Sequence, residues 1–220
     1  MKELLKRVIA EREGRVYPEL FGEVSKNIYT LDEEFFQRVF EQKAEPEWLL
    51  TGVLECPPSS KHKDYIYVSS GLSNPVVEQA EPMSPEDPSW LGVEVVFRTT
   101  EPGPWAVELV KRVAAFEILL AYQRFEGRDR LAPGARIPIG NPITLSSPSE
   151  LTWLLVVPTK FEPPAFQLES GVVEFLQVIG ITAAEAKLAR EQGPEMLFDL
   201  LGAHGALSVT DPKRGTHATE

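Results

Sequence analysis

The stretch Gly171-Val-Val-Glu-Phe-Leu-Gln-Val-Ile-Gly-Ile-Thr182 decides the fold that we expect for this chain. It is an apolar run, rich in β-branched residues, that is interrupted only by Glu174 and Gln177. The run is too short to span a membrane, and its nearly continuous apolar character is typical of strands covered on both faces. It therefore predicts a buried strand at the centre of a sheet.

Several other segments carry strand patterns. Leu91 to Arg98 alternates apolar and polar residues, which predicts a strand with one buried face. Tyr65 to Val68 predicts a strand with its two tyrosines on one face of the sheet. Further strands are predicted at Trp48 to Leu54, at Arg136 to Ile139 as a short edge strand, at Leu151 to Val157 and at Leu207 to Thr210.

Helices are predicted where apolar residues recur at helical spacing. An amphipathic helix before Gly14 is expected to lie on the surface. Thr30 and Glu33 form a capping-box pattern for a second helix, and the longest helix runs from Trp105 to about Phe125. Two short helices follow Thr182 and Pro194, and the buried face of the second is predicted to comprise Met196, Leu197, Leu200 and Leu201.

Together these elements predict an α+β fold in which a mixed β-sheet is covered by helices. We expect residues 1–47 to form an N-terminal helical segment packed on the domain, residues 48–217 to form the domain itself, and residues 218–220 to form a tail. The turn from Gly71 to Pro75 is interpreted as a structural cap of the sheet, because glycine and Asn-Pro supply conformations that other residues resist.

The charge of the chain restricts its partners. It has 33 Asp and Glu residues against 22 Lys and Arg residues, which gives a net charge of −11. Long-range repulsion opposes binding to nucleic acid or to an anionic membrane, whereas a basic protein would be attracted. The single cysteine, Cys56, excludes an internal disulfide and fits a reducing compartment, so we expect a cytoplasmic protein.

The sequence contains none of the common catalytic signatures. It has no Gly-x-Ser-x-Gly elbow, no phosphate-binding loop and no dinucleotide-binding glycine pattern. The three histidines, at 62, 204 and 217, form neither a His-x-x-x-His pair nor a Cys/His cluster. We therefore predict no catalytic residue, no cofactor and no metal site, and we expect Cys56 to be a packed residue and Lys213 and Arg214 to be solvated.

Three segments in order resemble the suppressor of fused domain family: Tyr65 to Pro75, Gly171 to Thr182 and Val209 to Gly215. Between them, Leu91 to Arg98 is similar to a strand of that family, and Pro104-Trp105 is similar to the start of its long helix. The resemblance covers roughly residues 48–217. We identify the chain as a member of the family, of the stand-alone bacterial type.

The resemblance implies a mixed α/β fold without known catalysis. Animal members bind zinc-finger transcription factors of Hedgehog signalling, with the help of a second, C-terminal domain that we do not expect here. The family's helix tyrosine that helps to hold that ligand corresponds to Phe116, and its Gly-Asp pair corresponds most nearly to Gly134-Ala135. A hydroxyl and a charge of the animal ligand site are therefore missing.

Bacterial members of the family are proposed to include immunity proteins that neutralise secreted toxins, and the acidity of this chain fits a basic, nuclease-type toxin. The partner is thus expected to be another protein, with the oligomeric state left open. The predicted partner-binding residues are Phe116, Arg136, Ile137 and Ile139, together with the acidic residues Glu81, Glu86 and Asp87. The alternative is an enzyme that acts on a small polar ligand in a cleft near Gly71 to Pro75.

Overall fold

A computed structural model of the chain describes residues 2–75, 84 and 86–218. Its strands are β1 (Ile28–Thr30), β2 (Gly52–Cys56), β3 (Tyr65–Ser70), β4 (Pro88–Thr99), β5 (Arg136–Pro138), β6 (Leu151–Val157), β7 (Ala165–Leu168) and β8 (Gly171–Thr182). Its α-helices are α1 (Lys2–Glu11), α2 (Tyr17–Phe21), α3 (Glu33–Phe40), α4 (Pro104–Ala121), α5 (Ala183–Gln192) and α6 (Pro194–Ala203). A π-helical turn (Arg12–Val16) joins α1 to α2, and a 3-10 helix (Pro46–Leu50) precedes β2.

The strands form one mixed sheet in the order β1-β2-β3-β4-β8-β6-β5, and β7 pairs with the first half of β8. Strand β8 has the predicted bounds and lies at the centre, parallel to β4 and antiparallel to β6. Its polar Gln177 is buried, and the side-chain amide donates to the carbonyl of Ser208 at 2.9 Å. The predicted α+β fold with a mixed, helix-covered sheet is confirmed.

Helices cover both faces of the sheet, and this burial holds the fold together. Helix α4 packs with α3 on one face, in a core that includes Trp48 and Tyr67. The N-terminal helical residues Val8, Tyr17 and Phe21 pack on the other face, so this segment contributes to the core rather than lying only on the surface. Helices α5 and α6 bury a third group of apolar residues against β6 and β8.

Some predicted boundaries are wrong for identifiable reasons. Trp48 lies in the 3-10 helix that Pro46 begins, so strand β2 starts only at Gly52. Residues 207–210 form no strand, and a single parallel bridge joins Thr210 to Thr99. Strands β1 and β7 were not predicted, because three or four residues carry too little alternation to be recognised.

Three side-chain environments also differ from prediction. The cap of α3 is Asp32, whose carboxylate accepts from the N–H of Phe35 at 2.7 Å, whereas Thr30 ends β1. Strand β4 is buried on both faces, because the N-terminal helices cover the face that was predicted to be exposed. Met196 is 49% exposed, so the fully buried face of α6 is formed by Leu197 and Leu201.

Candidate functional site

Strand β5, which contains the predicted partner-binding segment, lies at one end of the strand order. It pairs antiparallel with β6, and no further strand of the described chain follows it. The amide of Ile139, just after the strand, donates to the carbonyl of Thr152 in β6 at 3.0 Å and so continues the same ladder. The predicted edge strand at Arg136 is thus present, while its role in binding stays a prediction.

The register of β5 determines which main-chain groups point away from the sheet. Hydrogen-bonded and non-hydrogen-bonded pairs alternate along an antiparallel ladder. Since Ile139 bonds to β6, Ile137 also directs its main-chain groups toward β6, whereas Arg136 and Pro138 direct theirs outward. Proline has no N–H, so the outer edge offers the N–H and carbonyl of Arg136 and the carbonyl of Pro138.

Phe116 lies on the face of α4 that approaches the end of β5. Its partly buried ring stacks on Phe40, with centroids 6.3 Å apart and planes inclined by 7°, and it also contacts Phe125 at 5.4 Å. Arg112, one helical turn earlier on the same face, donates to the carbonyl of Ile139 at 3.4 Å. The structure therefore brings the predicted Phe116 face and the β5 segment together.

An ion pair between a buried carboxylate and a partly exposed arginine fixes the start of the segment that leads to β5. The carboxylate of Glu117 on α4 is 1% exposed, and it accepts from Arg130 at 2.6 Å and from the N–H of Leu131 at 3.0 Å. Burial raises the pKa of Glu117, although these two donors counteract the rise. Arg130 also donates to the carbonyl of Leu91 in β4 at 2.7 Å.

Sequence reasoning missed this pair. The position of Glu117 among the apolar residues of the second half of α4 could have indicated a buried carboxylate. Nothing in the sequence indicated that Arg130 is its partner.

Two adjoining grooves of about 400 and 370 Å³ lie between residues 130–133 and the sheet, and we call them together the strand-end groove. They share Val93, Leu131 and Glu174. The predicted residue Glu86 lines one end, and the other end reaches Val156, whose N–H donates to the carbonyl of Ala135 just before β5. Because Glu86 and Glu174 are exposed, the groove presents two carboxylates at its β4 and β8 walls, together with the guanidinium of Arg130.

The other predicted acidic residues differ in position. Asp87 is exposed at the start of β4, where its carbonyl accepts from the N–H of Val172 at 2.9 Å and its carboxylate accepts from the N–H of Ser84 at 3.0 Å. Asp87 therefore holds local structure in addition to carrying charge. Glu81 lies outside the described residues.

The turn from Gly71 to Pro75, the location of the enzyme alternative, is filled by the protein itself. Glu94 is fully buried and accepts from the N–H groups of Gly71 and Ser73 at 3.0 and 3.1 Å. The guanidinium of Arg12, 1% exposed, lies 3.6 Å from this carboxylate and donates to the hydroxyls of Ser70 and Ser73. These contacts support the interpretation of the turn as a structural cap.

Cys56 and the pair of Arg214 and Glu185 are also held in structural roles. Burial raises the pKa of the Cys56 thiol to about 12, which leaves no thiolate near neutral pH. Arg214 was expected to be solvated, but its side chain is only 8% exposed and donates to the buried Glu185 at 2.7 Å. Burial raises the pKa of Glu185, but the ion pair with Arg214 outweighs it and leaves the pKa below its ordinary value.

Two kinds of site are absent from residues 2–75, 84 and 86–218. None of the helices there combines the length and the apolar character that a membrane crossing requires. Within the same residues, no group of three His, Cys, Asp or Glu side chains is arranged to hold a metal ion.

Comparison with known proteins assigns this chain to a protein family. The model of the suppressor of fused protein (SUFU) family matches residues 50–215, which is most of this chain. The chain belongs to the suppressor of fused family. The resemblance inferred from the sequence is thereby confirmed.

Individual relatives agree with this assignment. The suppressor of fused homologs of Homo sapiens and Mus musculus are each 26% identical to this chain over 171 residues, which cover 72% of this chain and 34% of each relative. The chain thus spans about a third of the length of these curated relatives.

Solved structures of the family share the fold. A putative SUFU homolog from Neisseria gonorrhoeae has a TM-score of 0.65 at 16% identity, with all of both chains covered. Drosophila Suppressor of Fused gives a TM-score of 0.64 at 17% identity, with 97% of this chain and 51% of that chain covered. A chain of the Sufu-Fu complex gives 0.64 at 19% identity, with 97% and 92% covered.

Proposed function

We propose that this chain is a non-enzymatic protein-binding domain and that it acts as an immunity protein against a basic, nuclease-type toxin. The observation that carries the proposal is the β5 edge, where main-chain groups of Arg136 and Pro138 point away from the sheet and pair with no further strand of the described chain. The family assignment supports a protein partner, since one related structure is a complex of Sufu with Fu. A cytoplasmic location would fit this role.

The proposed binding mode combines strand addition with electrostatic steering. An extended segment or a loop of the toxin would pair with the outward groups of Arg136 and contact the Phe116 face of α4. The carboxylates of Glu86, Asp87 and Glu174 would attract a cationic surface and would act mainly on the rate of association. A toxin bound in this way would have its nucleic-acid-binding surface covered by an acidic protein.

The enzyme alternative near Gly71 to Pro75 receives no support from the contacts there. Ser69, Ser70, Ser73 and Asn74 are each at most 1% exposed. The carboxylate of Glu94 already accepts hydrogen bonds from this turn, so it is not free to act on a ligand. We therefore do not propose an enzymatic function.

The proposal is tested with the product of the adjacent gene, co-expressed with this chain and purified as a complex. The register of β5 selects the informative variants. Among main-chain groups, Arg136→Pro removes an outward N–H, and it also removes the guanidinium, so Arg136→Ala is the control for the side chain. Ile137→Pro removes an N–H that faces β6 and therefore damages the sheet. We expect Arg136→Pro to keep the melting temperature near that of the wild type and to speed dissociation by about tenfold or more.

Neutralisation of charge should have a different kinetic effect. The triple variant Glu81→Gln, Glu86→Gln, Asp87→Asn should slow association and weaken its dependence on salt, with little effect on dissociation. If the adjacent gene product neither binds this chain nor becomes less toxic in its presence, the immunity function is wrong. If binding occurs but folded Arg136→Pro dissociates at the wild-type rate, the interface lies elsewhere.

A further inference from the structure

The opposite end of the strand order, strand β1, has the features of a second binding edge. The N–H of Leu31 donates to the carbonyl of Thr51 at 2.8 Å, which sets the alternation of the β1–β2 ladder. By this alternation Tyr29 directs its main-chain groups toward β2, whereas Ile28 and Thr30 direct theirs outward. Neither outward residue is a proline, so β1 offers two N–H groups and two carbonyls, one donor more than β5.

The side chains of β1 include two large apolar groups that are exposed, and a strand edge that is protected from pairing does not need such groups. Ile28 and Tyr29 are each 42% exposed, although both are large and apolar. They lie on opposite faces of the strand, because side chains alternate. An added strand would therefore find apolar contacts on both faces as well as main-chain hydrogen bonds.

Tyr29 also forms one wall of a groove of about 490 Å³, whose other walls come from β2, the start of α4 and the loop before it. The groove is lined by Tyr29, Glu55, Pro102, Gly103, Pro104, Val107, Glu108 and Lys111. The Lys111 ammonium lies over the ring of Phe35, 4.7 Å from its centroid. The groove thus has two carboxylates and one ammonium group. The Glu108 carboxylate also accepts from Arg38 at 3.1 Å, so Glu55 is the groove carboxylate for which we expect an arginine of the partner.

Charge indicates what kind of segment fits here. The carboxylates of Glu55 and Glu108 line the groove, and the exposed Glu33 and Glu34 follow directly after β1 and Asp32. An arginine on the added strand could stack on Tyr29 and pair with a carboxylate. A second copy of this chain is disfavoured, since each copy carries a net charge of −11.

We propose that β1 is a second docking edge that accepts a basic, extended segment of a partner protein, with an arginine opposite Tyr29. This surface is separate from the β5 edge of the proposed function and does not depend on it. The segment would form main-chain hydrogen bonds with Ile28 and Thr30. Residues of the segment opposite those two positions would be apolar, because they share the face of Ile28.

The geometry specifies a probe peptide with the sequence Thr-Val-Arg-Val-Thr, acetylated and amidated. In this register the two valines direct their N–H groups at β1, whereas the arginine directs its N–H away. Methylation of the two valine nitrogens should therefore weaken binding by about tenfold or more, while methylation of the arginine nitrogen should leave it nearly unchanged. Exchange of the arginine for glutamate should weaken binding to a similar degree.

Binding is measured on the full chain by NMR titration, which also maps the site. We expect the largest shifts at the amides of Ile28 and Thr30, and we expect Thr30→Pro to abolish the shift at the amide of Ile28 in a folded protein. The control Arg136→Pro, at the other end of the sheet, should bind the peptide as the wild type does.

Three results would overturn the inference. The first is that the peptide methylated at the valines and the peptide methylated at the arginine bind equally well. The second is that the glutamate peptide binds as well as the arginine peptide or better. The third is self-association of this chain through β1 in sedimentation experiments.

Discussion

The buried pair of Arg12 and Glu94 offers a quantitative test of how the N-terminal helical segment is held. Arg12 lies in the π-helical turn and Glu94 lies in the middle of β4, with side chains 1% and 0% exposed. Arg12→Met removes the guanidinium but keeps much of the apolar stem. It leaves the Glu94 carboxylate buried without its cation, and it leaves the hydroxyls of Ser70 and Ser73 without their donor.

The expected loss follows from the cost of an uncompensated buried charge. Breaking a buried ion pair by removing one partner typically costs about 3–5 kcal/mol. A domain of this size loses roughly 2–4 °C in melting temperature for each kcal/mol, so Arg12→Met should melt about 6–20 °C below the wild type. The double variant Arg12→Met, Glu94→Gln should be more stable than the sum of the single changes predicts, because the buried charge is then removed.

Urea unfolding followed by tryptophan fluorescence and by circular dichroism measures these differences, and coincidence of the two transitions checks that unfolding is two-state. The matched control is Arg15→Met in the same segment, because Arg15 pairs with Glu11 and Glu19 on the surface and should change the midpoint little. If Arg12→Met costs less than about 1 kcal/mol, or no more than the Arg15 control, the pair does not anchor the segment.

Two other predictions concern groups whose pKa is shifted. The pKa of Glu185 is lower in the folded state than its unfolded value of 4.5, so its stabilising effect is present above pH 4.5 and is lost as the pH falls through the folded value. Urea midpoints from pH 7 to pH 3 should therefore fall less steeply for Arg214→Met than for the wild type, and equal slopes would contradict this. Cys56 should resist alkylation at pH 8 in the folded protein and react fully in urea, because burial raises its pKa to about 12, and rapid labelling without urea would refute its inert role.

The elements that the sequence predicted well are those with long, uniform patterns. Strand β8 and strand β6 have the predicted bounds because each is a continuous apolar run flanked by polar or turn residues. The capping box of Thr182 and Glu185 was also correct, since it depends only on residues three apart. Strand β1 has no such pattern, and its pairing with β2 depends on contacts that local sequence does not encode.

The polar interior could not be predicted, because the period of a strand says which face a residue occupies but not what covers that face. Glu94 follows the polar positions of an alternating strand, which indicates solvent exposure. Its actual burial depends on Arg12 from the N-terminal segment, which supplies the compensating charge. For the candidate site, the prolines and glycines around Arg136 to Ile139 predicted an edge strand. Which of its residues direct their main-chain groups outward, Arg136 rather than Ile137, could be determined only from the pairing with β6.

The buried acidic residues of the described chain share one feature, an arginine partner that is distant in sequence. Four buried carboxylates each hold an arginine from another part of the chain: Asp64 with Arg98, Glu94 with Arg12, Glu117 with Arg130, and Glu185 with Arg214. Each pair fastens a peripheral segment to the sheet or to a helix, and a carboxylate held in this way is not available to transfer a proton to a ligand. The outward main-chain groups of β1, at Ile28 and Thr30, and of β5, at Arg136 and Pro138, have no ladder partner within the described residues. This arrangement supports the proposal that recognition by this domain uses its strand edges and its surface charge.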